Sequence, residues 1–297
     1  MSTVTITCSE LEIRTIKQRY PHAEVRKTPP YAVYQIKLSD CMITAYTSGK
    51  VVFQGEGAQH HASGYQSVPP KKKQTHVPSS NHEDTYPQCG SDEVGTGDYF
   101  GPVTVCATYV STSDIDYLRS LGIQDSKAIS DELIRKLAPL LMERLPYSLL
   151  ILDNAKYNRI HDTNNMVAIK CKMHNQAFLH LKKKVAQWPK FVIIDQFVQG
   201  SSYYRYLKQE KEVLPNIHFE TKAENKYLSV ACGSIIARYA FLKAFDAMCD
   251  HYNFTFLKGA SHKVDDNIRL FVALHGVDEL HNVAKFHFAN TKKAGIQ

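Results

Sequence analysis

The chain has 297 residues but a single tryptophan, and its seven cysteines (Cys8, Cys41, Cys89, Cys106, Cys171, Cys232 and Cys249) never form a Cys-x-x-Cys pair. That spacing is what thiolate zinc sites and dithiol redox centres use, so scattered, reduced and mostly buried thiols are expected instead. The fourteen histidines contain no His-x-x-x-His and no mixed Cys/His set with zinc spacing. The one glycine-rich segment lacks the Gly-Lys-Ser/Thr ending of a phosphate-binding loop, which excludes a P-loop NTPase. No apolar run approaches the roughly 18 residues of a membrane span, so no transmembrane helix and no membrane partner are expected. The first residues, Met1 to Thr7, have neither a basic region nor an apolar one. They do not read as a secretory signal, and a cytoplasmic location is expected. No internal repeat is visible.

What is present in excess is positive charge. The formal net charge is +7 and the isoelectric point is near 8.9. Residues 1 to 75 hold ten Lys and Arg against five Asp and Glu, a net +5 at the N-terminal end. Lys and Arg that neutralise phosphates release condensed counterions, so this balance suits a polyanionic partner.

The pattern divides the chain. Ser9 followed by Glu12 predicts a capping box, and Leu11, Ile13, Ile16 and Tyr20 continue at helical spacing up to Pro21. Alternation through Ala32, Tyr34, Ile36 and Leu38, then Cys41 to Thr47, a Ser48-Gly49 turn and Val51 to Phe53, predicts an antiparallel sheet. Residues 1–60 therefore form a small α+β domain. Residues 61–85, rich in Gly, Ser, Pro, His and charge, read as a flexible linker.

Residues 86–297 alternate between the two periodicities. Strands are predicted at Cys89 to Asp92, Val103 to Val110, Leu149 to Leu152, Phe191 to Asp195 and Ile217 to Glu220. Helices are predicted near Ser130 to Glu143, Asn165 to Gln187, Ser202 to Glu210 and Tyr227 to His251. This is an α/β domain.

Three segments carry chemistry. The run Gly90-Ser91-Asp92-Glu93-Val94-Gly95-Thr96-Gly97-Asp98-Tyr99-Phe100-Gly101-Pro102 sets two carboxylates before three glycines. Acids ligate metals, and glycines let a backbone approach a phosphate or sugar. Neighbouring strand residues point to opposite faces, so joint action of Asp92 and Glu93 predicts a bend there, which Gly95 and Gly97 permit. Asp195 ends the apolar run Phe191 to Ile194, where an α/β sheet places ligands, although a helix-capping Asp fits as well. In the run from Glu220 to Arg238, Ser229, Gly233 and Ala237 recur every fourth residue, a face small enough for tight packing on a sheet. Glu224 within it also suits a helix N-terminus.

Together, in this order, the segments resemble the signatures of the type 2 ribonucleases H, and Thr96 between two glycines and Glu224 resemble the ribonuclease HIII branch. The resemblance implies a ribonuclease H-like catalytic domain with a mixed sheet and flanking helices, preceded by a small domain like half of a TATA-box-binding protein. It implies that Asp92, Glu93, Asp195 and Glu224 hold two divalent ions, Mg²⁺ or Mn²⁺, whose charge those carboxylates balance. It assigns 2′-hydroxyl sensing to the backbone of Gly95, Thr96 and Gly97; Asp125-Ser126-Lys127 resembles a further family motif, which makes Ser126 a substrate contact, and Lys127 and Lys222 are candidates for phosphate contact. In the small domain Tyr31, Lys37 and Lys50 are candidate contacts.

The expected activity is endonucleolytic hydrolysis of the RNA strand of an RNA/DNA hybrid duplex, leaving 5′-phosphate and 3′-hydroxyl ends, by a monomer. The runner-up is a ribonuclease HII-like enzyme that cuts at single embedded ribonucleotides. A nucleic-acid-binding protein with purely structural acids is the rival from another class. Deleting residues 1 to 75 is expected to weaken hybrid binding and flatten its salt dependence, with less effect on turnover at saturating substrate. Binding titrations at several salt concentrations check this, and an unchanged affinity and slope would contradict it.

Overall fold

Strand β1 (Ser2–Thr7) leads into helix α1 (Glu10–Gln18), whose start is the reciprocal cap its Ser-x-x-Glu spacing dictates. The Ser9 amide donates to Glu12 Oε2 at 2.6 Å, and the Glu12 amide donates to Ser9 Oγ at 3.3 Å. The chain continues through β2 (Glu24–Val25), β3 (Ala32–Lys37), β4 (Met42–Tyr46), β5 (Lys50–Gly55) and helix α2 (Ala58–Ser63). These strands make one antiparallel sheet in the order β1-β5-β4-β3-β2. Ile13 and Ile16 of α1 and Ala58 and Ala62 of α2 share a core with Tyr34, Ile36, Ile43, Val51 and Phe53.

The structure, a computed structural model, describes residues 2–26, 29, 31–63, 65, 85–123 and 129–296. It forms two compact units, residues 1–79 and 80–297. Two details of the first unit differ from expectation. Helix α2 crosses the expected domain end at residue 60, because Ala62 buries itself in the same core as Ala58. Residues 61–63 are thus helix rather than linker, and Tyr65 packs against the core too; residues 64 and 66–84 lie outside the described residues. Strand β1 was not anticipated, since its pairing with β5 is long-range and leaves little trace in local pattern. Tyr31, Lys37 and Lys50 are exposed.

The second unit opens with β6 (Gln88–Val94) and β7 (Val103–Val110), then α3 (Ile115–Ser120) and α4 (Asp131–Arg144). There follow β8 (Tyr147–Leu152), α5 (Asn154–His161), α6 (Met166–Lys182), β9 (Phe191–Asp195) and α7 (Gly200–Tyr206). Strand β10 (His218–Glu220), the long helix α8 (Leu228–Tyr252), α9 (His262–His275), α10 (Val277–Val283) and α11 (Ala289–Lys293) complete it. The sheet runs β10-β9-β6-β7-β8, with β10, β9 and β6 mutually parallel and β7 antiparallel to both its neighbours. It is the mixed sheet that was expected.

Helix α8 is long and apolar enough by composition to cross a membrane, yet 72% of its most apolar window is buried inside the protein, as in a core helix. Ser229, Gly233 and Ser234, then Arg238, Lys243 and Asp246, interrupt its hydrophobic letters, which is why no continuous run stands out. The small residues among them let helix and sheet backbones meet. A Cβ added to Gly90 of β6 would stand 2.4 Å from the Val230 amide, and one added to Gly233 would stand 2.8 Å from the Cys106 carbonyl oxygen. Polar bridges seal the contact: Thr108 Oγ1 donates to Ser229 O at 2.6 Å and Thr104 Oγ1 to Ala237 O at 2.9 Å.

Gly90→Ala forces these two backbones apart, and overpacking of this kind typically costs ~1–3 kcal/mol. Urea unfolding is expected to show that loss, and wild-type stability in the variant would contradict the close packing.

Candidate active site

Strand alternation decides where the acids point. Gln88, Gly90 and Asp92 face α8, where Ser229 Oγ donates to Gln88 Oε1 at 2.8 Å. Ser91 and Glu93 face α6: Ser91 Oγ lies 2.7 Å from His174 Nδ1, and Glu93 meets Lys170 Nζ at 2.8 Å and His174 Nε2 at 2.9 Å. The bend expected at Asp92-Glu93 is absent. Pairing with β7 continues unbroken from Asp92↔Cys106 through Val94↔Thr104, so the two acids stand on opposite faces of one strand. They meet the same cavity because it opens at the strand's end.

Asp195 is the last residue of β9, and β9 pairs with β6 in parallel up to Ser91↔Ile194. One further step along both strands sets Asp195 beside Asp92. Asp92, Glu93 and Asp195 line one cavity of about 320 Å³ with Val94, Ile134, Ser234, Ile235 and Arg238. Glu224 is not among its lining residues. It is buried in a 3₁₀ turn, Ala223–Asn225, one residue past the Ala223 amide that donates to Asp195 Oδ1 at 3.0 Å. Glu220, in register with Asp195, is committed elsewhere. Burial would raise its pKa, but Lys226, Tyr227 and His218 hold it down to about 2.

The electrostatics separate the two adjacent acids. Burial, then the neighbouring Glu93 and, beyond a compensating Ser234 hydrogen bond, Asp195 push the Asp92 carboxyl up to about 8. Burial acts on Glu93 in the same direction, but His174 and Lys170 win and hold it below the usual range. Among the described residues no three His, Cys, Asp or Glu side chains stand preformed as a metal cage. The donor chemistry nevertheless fits a hard divalent cation, since clustered carboxylate oxygens are what Mg²⁺ and Mn²⁺ select.

Gly95 has φ +90°, and a Cβ there would stand 2.2 Å from the Pro102 carbonyl oxygen, so the turn after β6 requires glycine. Thr96 is half-buried and Gly97 is exposed. Lys222 is exposed, in the left-handed conformation at the start of the 3₁₀ turn. Ser126 and Lys127 lie outside the described residues. Sequence reasoning missed Lys170, His174 and Arg238 as neighbours of the acids; Arg238 is tied to Asp131 at 2.9 Å through Nε. The signal available was Lys170 and His174 one helical turn apart beside the buried Cys171.

A family model described as ribonuclease HII matches residues 89–291. A second, described as a domain of unknown function (DUF3378), matches residues 3–77. The ribonuclease HIII of Bacillus mycoides is 41% identical, over 99% of this chain and 97% of its own. The chain belongs to the ribonuclease HIII family. The ribonuclease HIII of Bacillus cereus is likewise 41% identical over 99% of the chain. A solved Bst-RNase HIII in complex with Mn²⁺ superposes with TM-score 0.70 at 36% identity, covering 99% of this chain and 98% of its own. Pyrococcus horikoshii ribonuclease H2, at 20% identity and TM-score 0.58, covers 70% of the chain and shares the fold. Ribonucleases H are metal-dependent hydrolases, so the family excludes the rival of a binding protein with idle acids.

Burial and the neighbouring carboxylates raise the folded Asp92 pKa well above the roughly 3.9 of an unfolded aspartate. The folded state therefore binds more protons between those two values, and stability falls as pH rises through that window. Without divalent ions, Asp92→Asn is expected to be more stable than wild type, by a margin growing at up to ~1.4 kcal/mol per pH unit. Unfolding titrations over a pH series measure the margin, and a flat or negative one would contradict the placement of Asp92.

Proposed function

We propose that the chain is an endoribonuclease that hydrolyses the RNA strand of RNA/DNA hybrids with divalent-ion assistance, giving 5′-phosphate and 3′-hydroxyl ends. The observation that carries this reading is the meeting of Asp92, Glu93 and Asp195 at the ends of two parallel strands around one cavity. Asp92 and Asp195 would hold the ions from the sheet edge, with Glu93 at the strand's other face and Glu224 supporting from the adjoining turn. A pair of Mg²⁺ or Mn²⁺ ions supplies Lewis acidity for an in-line displacement at phosphorus. The Mn²⁺ bound to Bst-RNase HIII supports a hard divalent metal.

The protein's own part is to gather and orient. The tight α8–β6 packing fixes Asp92, the Ala223 amide orients Asp195, and Lys170 with His174 orients Glu93. The turn Gly95-Thr96-Gly97 follows directly from β6, so a ribose seated there would present its 2′-hydroxyl to backbone groups beside the acids; that hydroxyl distinguishes RNA from DNA. Lys222, exposed near Asp195, suits a phosphate. Residues 1 to 75, with their net +5, suit the duplex backbone. All seven cysteines are free, which suits a reducing cytoplasm.

Asp92→Asn and Glu224→Gln are each expected to reduce Mg²⁺- or Mn²⁺-dependent cleavage of a labelled hybrid to background while hybrid binding persists. Near-normal turnover by Asp92→Asn would defeat the site. In the same assay a hybrid with a long RNA run is expected to be cut in preference to a duplex with one ribonucleotide, and the reverse preference would favour the ribonuclease HII-like specificity.

A further inference from the structure

One buried cation has no place in the chemistry described so far. Lys285 is fully buried, on the segment between α10 and α11, far in sequence from the acids. Its ammonium donates to two main-chain carbonyls, Asp98 O at 2.8 Å and Gly101 O. Its own amide donates to Tyr99 O at 2.9 Å. Three carbonyls of the segment that follows the Gly95-Thr96-Gly97 turn are thus held by one residue.

The neighbourhood repeats the pattern. The Gly101 amide donates to Val283 O at 2.9 Å, the Tyr99 amide to Gly259 O at 2.9 Å, and the Gly259 amide to Asp98 Oδ1 at 2.6 Å. Asn154 Nδ2 adds a second donor to Gly101 O at 2.9 Å. The Gly95-to-Asp98 turn itself is closed by one long contact, Asp98 N to Gly95 O at 3.4 Å. On one side the turn is held by β6 through Val94, and on the other by residues 98 to 101. Burial lowers the Lys285 pKa to about 7, with Asp98 opposing, so a residue that is costly to bury is retained where only donors to backbone oxygens are needed.

Resting on the hybrid-cleaving reading above, we infer that Lys285 is a positioning residue for ribose recognition: it clamps the carbonyls of Asp98 and Gly101 so that the Gly95-Thr96-Gly97 backbone meets the 2′-hydroxyl of the RNA strand. It touches neither substrate nor metal.

The test is steady-state cleavage of an RNA/DNA hybrid by folded Lys285→Met and Lys285→Arg enzymes, with a plain DNA duplex of the same sequence as competitor. Lys285→Met is expected to raise KM for the hybrid by about tenfold to a hundredfold, as misplacing a binding group does. Its kcat at saturation and the inhibition constant of the DNA duplex, which has no 2′-hydroxyl to be sensed, stay near wild type. Lys285→Arg, which keeps the donors, restores most of the KM. A general structural defect would instead lower the active fraction or weaken both duplexes together, and either result overturns the inference. If Lys285→Met does not fold, Asn154→Ala carries the same readout, and a wild-type KM and preference in that variant would overturn it. A wild-type enzyme without preference for the hybrid over DNA would overturn the functional reading as well. A preference that Lys285→Met retains in full would overturn this inference alone.

Discussion

Helix α8 lies against β6 and β7 with little more than backbone between them, and the candidate site depends on that contact. Gly90 and Gly233 leave no room for a methyl group, while Thr104 and Thr108 bond to helix carbonyls. Pinned in this way, β6 delivers Asp92 to the mouth of the cavity beside Asp195, and Ser234 of α8 joins them there. Much of the length of α8 serves this end, which is why so apolar a helix is buried.

The packing imposes an electrostatic cost that the chain handles differently at each acid. Glu93 is compensated from within the protein by Lys170 and His174. Asp92 has no cationic partner among its main influences and is pushed toward neutrality by burial and like charge. A buried carboxylate of this kind is one that a bound cation would stabilise.

Much of this was legible in the letters. The Ser9–Glu12 cap, the strand emptying into Asp195 and the small-residue face of α8 each follow from local pattern and appear where expected. The relation of Asp92 to Glu93 did not follow. Opposite-facing neighbours predict a bend, yet the β6–β7 ladder runs unbroken past both acids, and both line the cavity together with Val94, the last residue of β6. Lys170, His174 and Lys285 escaped notice for a different reason: their roles come from tertiary contacts 77, 81 and 184 to 187 residues away, and the one-turn spacing of Lys170 and His174 does not by itself point to Glu93. Strand β1 and the C-terminal helices escaped likewise, being held by long-range pairing and by a shared core.

Diffraction from crystals of the protein equilibrated with Mn²⁺, recorded at the manganese absorption edge, tests the account most directly. The account predicts anomalous density within bonding distance of the Asp92 and Asp195 carboxylates, at the shared end of β6 and β9. Manganese bound only elsewhere, such as the histidine-lined cavity of His161, His281 and His287, with none at the three acids, would contradict it.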